Sequence, residues 1–190
     1  MKKKILITTG GSGGHVLPAI TIYDHLKVKY DVLISTDLRG HKYLDSDIYK
    51  VFVVNTPRLN KLILLPFAII KVFFLTLKSL FLLKREKIEI LISTGGYMSL
   101  PLCIAAKMRN IKIFLLEPNM IIGRANRFFL NFCEKIICYD SNVIGFPDKF
   151  QNKLKISHPL IRKKYFDINY KADVDRIFTI IIIGGSQGAK

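Results

Sequence analysis

The chain has 190 residues, half of them hydrophobic, with 30 Lys and Arg against 14 Asp and Glu, for a formal net charge of +16. That length supports a sizeable α/β domain whose core needs no cross-links. The three cysteines, Cys103, Cys133 and Cys138, lack Cys-x-x-Cys spacing, which favours buried thiols in a reducing compartment over disulfides or a metal site. The positive excess calls for an anionic partner, but the basic residues are scattered and carry no nucleic-acid signature, so a membrane surface or a phosphorylated substrate is favoured and nucleic acid is not expected.

In chain order, MKKKILITTGG has a charged start like that of a signal peptide, but its apolar run is too short for one and meets glycines instead of a cleavage site. Lys4 to Thr8 is therefore predicted as a strand, followed by the loop Gly10 to His15 (GGSGGH). Val16, Ala19, Ile20, Tyr23 and Leu26 then recur at helical spacing, with Pro18 tolerated in the first turn. Further apolar runs suited to buried parallel strands fall at Asp31 to Ser35, Val51 to Val54, Ile88 to Ser93, Ile111 to Leu116, Lys135 to Tyr139 and Lys153 to Ser157.

Between the third and fourth strands lies LILLPFAIIKVFFLTLKSLFLL, residues 62–83, about the ~20 residues that cross a bilayer. Lys71 and Lys78 share one helix face, and Lys84, Arg85 and Lys87 follow. That pattern predicts a helix lying in the interface of an anionic membrane through residues 62–87, with an apolar face wider than one sheet contact requires. An ordinary sheet-covering helix is the alternative.

Helices are also expected at Ser99 to Arg109 and Ile122 to Phe132. The alternation gives an α/β fold with a doubly wound, Rossmann-like parallel sheet over residues 1–157. Residues 158–175 are charged and aperiodic and are expected to form a linker. Residues 176–190 are expected to begin a second Rossmann-like domain that the chain does not complete, with a strand at Ile177 to Ile183 running into GGSQGAK.

Three glycine loops, GGSGGH, STGGY (Ser93 to Tyr97) and GGSQGA (Gly184 to Ala189), each follow a predicted strand. There, exposed backbone N–H groups and a helix N-terminus suit phosphate or pyrophosphate. Val16 stands where a dinucleotide fingerprint needs its third glycine, and no loop has the P-loop lysine register. His15, in the first turn of the following helix, is positioned to accept a hydroxyl proton or to meet a phosphate, with simple loop bonding as the alternative. Glu117 is the rival general base, and Asn119 can orient a sugar or merely form a turn.

GGSGGHVLPA, ISTGGYMSLP, LEPN and GGSQGA, in that order and spacing, resemble the MurG family of membrane-associated N-acetylglucosaminyltransferases of peptidoglycan synthesis. The resemblance implies a GT-B fold of two Rossmann-like domains, inverting transfer of N-acetylglucosamine from UDP-N-acetylglucosamine to lipid I, the undecaprenyl-pyrophosphoryl-MurNAc-pentapeptide, and formation of lipid II. No metal or cofactor is implied, and the location is peripheral, on the cytoplasmic face of the bacterial inner membrane. By position, Ser12, Gly13, Gly14 and Asn119 match residues lining the sugar-nucleotide cleft. Ser186 matches a donor-site serine, with Gln187 beside it. Gly95, Gly96 and Tyr97 fall near the acceptor pyrophosphate. Arg162, in HPLIR, is displaced by one residue from the family pattern, and Pro118 replaces the usual Gln. The residues that read ribose and uracil are not present, so these 190 residues alone are expected to be inactive. The alternatives are the acceptor subunit of a related glycolipid glycosyltransferase and a non-catalytic membrane protein that binds polyprenyl pyrophosphate.

Overall fold

A computed structural model describes residues 2–57, 65–162 and 165. The elements in order are β1 (Lys4–Thr8), α1 (Gly13–Leu26), β2 (Asp31–Thr36), α2 (Leu38–His41), β3 (Val51–Val53), α3 (Leu65–Arg85), β4 (Ile90–Ser93), α4 (Leu100–Met108), β5 (Lys112–Glu117), α5 (Arg124–Phe129), β6 (Lys135–Cys138) and β7 (Leu154–Ile156). The strands form one sheet in the order β3-β2-β1-β4-β5-β6-β7, parallel at every pairing. The seven strands expected between residues 4 and 157 are all present, each within two residues of its expected ends. The expected linker lies largely, and the strand at 177–183 entirely, outside the described residues.

The period of two in each strand sorts side chains between two faces. Ile5, Ile7 and Val32 meet α1 through Ala19, while Leu6, Leu33, Leu91 and Leu115 meet α3, α4 and α5 through Leu83, Leu102 and Phe129. Both faces are apolar, which is why these strands read as continuous hydrophobic runs rather than alternating ones. The three cysteines are free and buried on the helix-rich side. Burial pushes the Cys103 thiol up to about 12 and Cys138 to about 11, which keeps both protonated and unreactive at neutral pH.

Two helices differ from expectation. α2 was not expected, because four residues carry no periodicity; it forms because Asp37 caps it, accepting from the Gly40 N–H at 2.8 Å. The helix expected at Ile122 to Phe132 contracts to α5. Lys153 Nζ donates to the carbonyls of Leu130 and Cys133 at 2.8 Å each and so holds the chain where α5 has ended.

Candidate active site at the carboxyl edge of the sheet

Strand order reverses between β1 and β4, and in open parallel sheets the crevice outside the carboxyl ends of the strands at such a point is where ligands bind. The loops after β1 and β4 are the first two glycine loops. Thr94 Oγ1 donates to Thr9 Oγ1 at 2.8 Å and ties one to the other. Together with the segment after β5 they enclose a cavity of about 170 Å³. It is lined by His15, Gly95, Gly96 and Tyr97 on one side and by Glu117 and Asn119 on the other. That volume is below the ~300 Å³ at which small-molecule sites usually begin.

Glycine is required in both loops. Gly10 has φ +151°, and a Cβ there would lie 2.8 Å from Asp37 Oδ1; Gly95 has φ +89°, and a Cβ would lie 3.3 Å from Asn126 Nδ2 and 3.5 Å from His15 Cε1. The second contact shows how closely the three loops converge.

His15 sits in the first turn of α1, half-buried. Its Nδ1 lies 2.7 Å from the carbonyl oxygen of Thr94. A carbonyl can only accept, so Nδ1 carries the proton and Nε2 is the nitrogen with a lone pair. Ser12 is the N-cap of α1, but its side chain makes no capping bond, and no acidic side chain occupies the first turn. The positive end of this 14-residue helix is left uncapped by side chains, as an anion site requires.

Gly13 and Gly14 line a neighbouring groove of about 430 Å³ with Pro118, Tyr139 and Arg162. Arg162, despite its shifted register, thus lies on the same side of the molecule as the first loop. Ser186 and Gln187 lie outside the described residues.

Glu117 ends β5 with 1% of its surface exposed. Its Oε1 accepts from the Asn119 backbone N–H at 3.2 Å and from Asn119 Nδ2 at 2.8 Å; its Oε2 accepts from the Gly123 N–H at 2.7 Å and from Asn126 Nδ2 at 3.0 Å. Asn119 is exposed at the cavity. Asn126, missed by sequence reasoning, is 2% exposed and donates also to the Leu116 carbonyl at 3.0 Å. It lies nine residues beyond Glu117, and only the turn that precedes α5 brings it back to the strand end.

Asp37 was likewise not singled out. Its Oδ1 accepts from the Gly11 N–H at 2.9 Å and the Gly40 N–H at 2.8 Å, and its Oδ2 pairs with Arg39 Nη2 at 2.9 Å. Burial alone would raise its carboxyl, but the two backbone N–H groups and the guanidinium outweigh burial and hold it below the usual carboxylate value. The available signal was an Asp directly after a strand with glycine three residues on, an N-cap pattern.

Away from the crevice, α3 packs against α4 and buries Ala68, Thr76, Ser79 and Leu83. Its outer face leaves Phe67, Ile70, Phe73, Phe74 and Phe81 exposed, with Phe81 at 76%. Lys71, Lys78, Lys84 and Arg85 on α3, and Lys87 just beyond it, are also exposed. α3 is long and apolar enough to cross a bilayer, but one side is occupied by protein.

Comparison with known proteins agrees with this geometry. The model of the glycosyltransferase family 28 N-terminal domain matches residues 5–138. A Pelagibacter ubique protein named UDP-N-acetylglucosamine--N-acetylmuramyl-(pentapeptide) pyrophosphoryl-undecaprenol N-acetylglucosamine transferase is 50% identical over all of this chain and 54% of its own length. A Rickettsia bellii protein of the same name is 35% identical over 99% of this chain and 54% of its own. The chain thus spans about half the length of these curated relatives. Among solved structures, Acinetobacter baumannii MurG superimposes with TM-score 0.70 at 19% identity, covering 89% of this chain and 50% of that one. UDP-GlcNAc 2-epimerase from Neisseria meningitidis does so with TM-score 0.56 at 11% identity, covering 80% and 45%. These structural likenesses establish a shared fold. With the family model spanning β1 to β6 and the crevice loops within it, the chain belongs to glycosyltransferase family 28 and carries that family's N-terminal domain.

Proposed function

We propose that the protein to which this chain contributes its acceptor-side half transfers N-acetylglucosamine from UDP-N-acetylglucosamine to lipid I, inverting the anomeric centre and producing lipid II. The observation that carries this reading is His15, whose Nδ1–H is spent on Thr94 so that Nε2 presents a lone pair at the crevice formed by the family's glycine loops. Nε2 takes the proton of the acceptor hydroxyl as that oxygen bonds to the anomeric carbon. The bond from that carbon to the UDP phosphate oxygen breaks, and its electron pair leaves with UDP. The N-terminus of α1, uncapped by side chains, faces the anionic side of this exchange. Ser12, Gly13, Gly14, Gly95, Gly96, Tyr97 and Asn119 bind the sugar and diphosphate groups, and Arg162, Ser186 and Gln187 belong to the donor side. The remaining donor contacts come from the half of the relatives' length that this chain does not span.

The exposed aromatic face of α3, with its lysines, rests in the interface of an anionic membrane on the cytoplasmic side and brings the crevice to a lipid-linked acceptor. Because α3 is packed along one side on α4, lying in the interface suits it better than crossing.

The test completes this chain with the C-terminal half of the Pelagibacter ubique relative and supplies UDP-N-acetylglucosamine with a lipid I analogue. UDP release coupled to a disaccharide product is expected. No product from the completed chain, while the unaltered relative is active alongside it, overturns the proposal. Vesicle binding without turnover would then favour the non-catalytic alternative.

A further inference from the structure

We propose that Glu117 is a positioning residue for sugar recognition, locking the amide of Asn119, and that it is not the base. This rests on the transferase reading above and deepens it.

A carboxylate with 1% exposure survives in a core only if its lone pairs are used. Glu117 has two donors on each oxygen: Asn119 twice on Oε1, and Gly123 and Asn126 on Oε2, at 2.7 to 3.2 Å. No lone pair is left for a substrate hydroxyl, whereas His15 Nε2 has one. The network cannot be inverted. Asn126 Nδ2 faces two acceptors, the Leu116 carbonyl and Glu117, so its amide has one allowed orientation.

The same logic fixes Asn119. Its Nδ2 is drawn to Oε1, which leaves its Oδ1 and second N–H for the cavity that Asn119 lines. An acceptor and a donor side by side on a planar group recognise a pyranose hydroxyl or an acetamido N–H. The carboxylate therefore sets which polar group the site offers, without touching the sugar itself.

Steady-state kinetics on the completed chain test this with Glu117→Gln, which replaces one acceptor oxygen by an NH₂ facing N–H donors. The KM for UDP-N-acetylglucosamine is expected to rise about tenfold with kcat within about threefold and the pH–rate profile unchanged. Asn119→Ala should give the same pattern, and the double variant should be no worse than either single, because both remove one coupled unit. A kcat loss of about a hundredfold or more at constant KM, with the acidic limb of the profile gone, assigns the base to Glu117 and overturns the proposal, as do additive effects in the double variant. If Glu117→Gln melts below the assay temperature, Glu117→Asp takes its place in the cycle, and an unaltered KM in Asn119→Ala still overturns the proposal. An inactive unsubstituted chain is a different result: it removes the transferase reading, not the hydrogen-bond assignment.

Discussion

The crevice and the outer face of α3 are built in opposite ways. At the crevice, polar groups are few and oriented by neighbours: His15 is held by Thr94, Asn119 and Asn126 by Glu117, and Gly11 and Gly40 by Asp37. A ligand there meets fixed directions. On α3, large apolar side chains stand in the open beside exposed lysines, and nothing fixes a direction. A site that must discriminate one hydroxyl from another needs preorganised hydrogen bonds; a surface that must hold a fluid bilayer needs only area and charge.

The contrast predicts that damage at one region spares the other. The largest effect is expected from His15→Ala in the completed chain, a fall in kcat of about 10²- to 10⁴-fold, the usual worth of a general base. Vesicle binding measured by sedimentation should be unchanged, and a parallel loss of both would break the separation. Next comes the triple change Phe73→Ser, Phe74→Ser and Phe81→Ser. At ~1.5 kcal/mol per fully buried phenyl side chain, it should lower partition onto anionic vesicles by on the order of a thousandfold. Because these rings are exposed, the melting temperature should hold; a drop in melting temperature would instead mark α3 as core.

Asp37→Asn sharpens the crevice side. Losing charge-assisted bonds to Gly11, Gly40 and Arg39 should cost about 1–3 kcal/mol in urea denaturation at neutral pH. Since the folded-state carboxyl lies below the ordinary value of 3.8, its stabilisation is complete above that value and fades as pH falls through the lower, folded one. The gap between wild type and variant should therefore close in the most acidic part of the titration, below about pH 4. A gap that stays constant there would deny the charge any role. The smallest effect is expected from salt. Raising it from about 0.1 to about 1 M shortens screening from about 10 to about 3 Å and should weaken vesicle binding several-fold without abolishing it, because the apolar part persists.

Much of the crevice was legible in the residues. Strands buried on both faces write themselves as unbroken apolar runs, and glycines after β1 and β4 marked the carboxyl edge where the crevice lies. The resemblance carried by the glycine loops pointed to the same family that residues 5–138 match. The roles of Glu117, Asn126 and Asp37 were not legible. Each depends on partners brought in by a turn: Gly123 and Asn126 fold back onto the end of β5, and Asp37 reaches Gly11 across 26 positions. Spacing marked Glu117 as a carboxylate at a strand end, where it looked available for catalysis; the count of donors around it is a property of the folded chain.

The sequence by itself determined the parallel sheet, the place of its carboxyl edge and the apolar excess of residues 62–83, because periodicity and glycine placement act locally along the chain. Only the tertiary structure decided which nitrogen of His15 is free, which way the amide of Asn126 faces, and which side of α3 is left without protein. Those depend on the direction of hydrogen bonds and on what packs against what, and both are fixed only when distant segments meet.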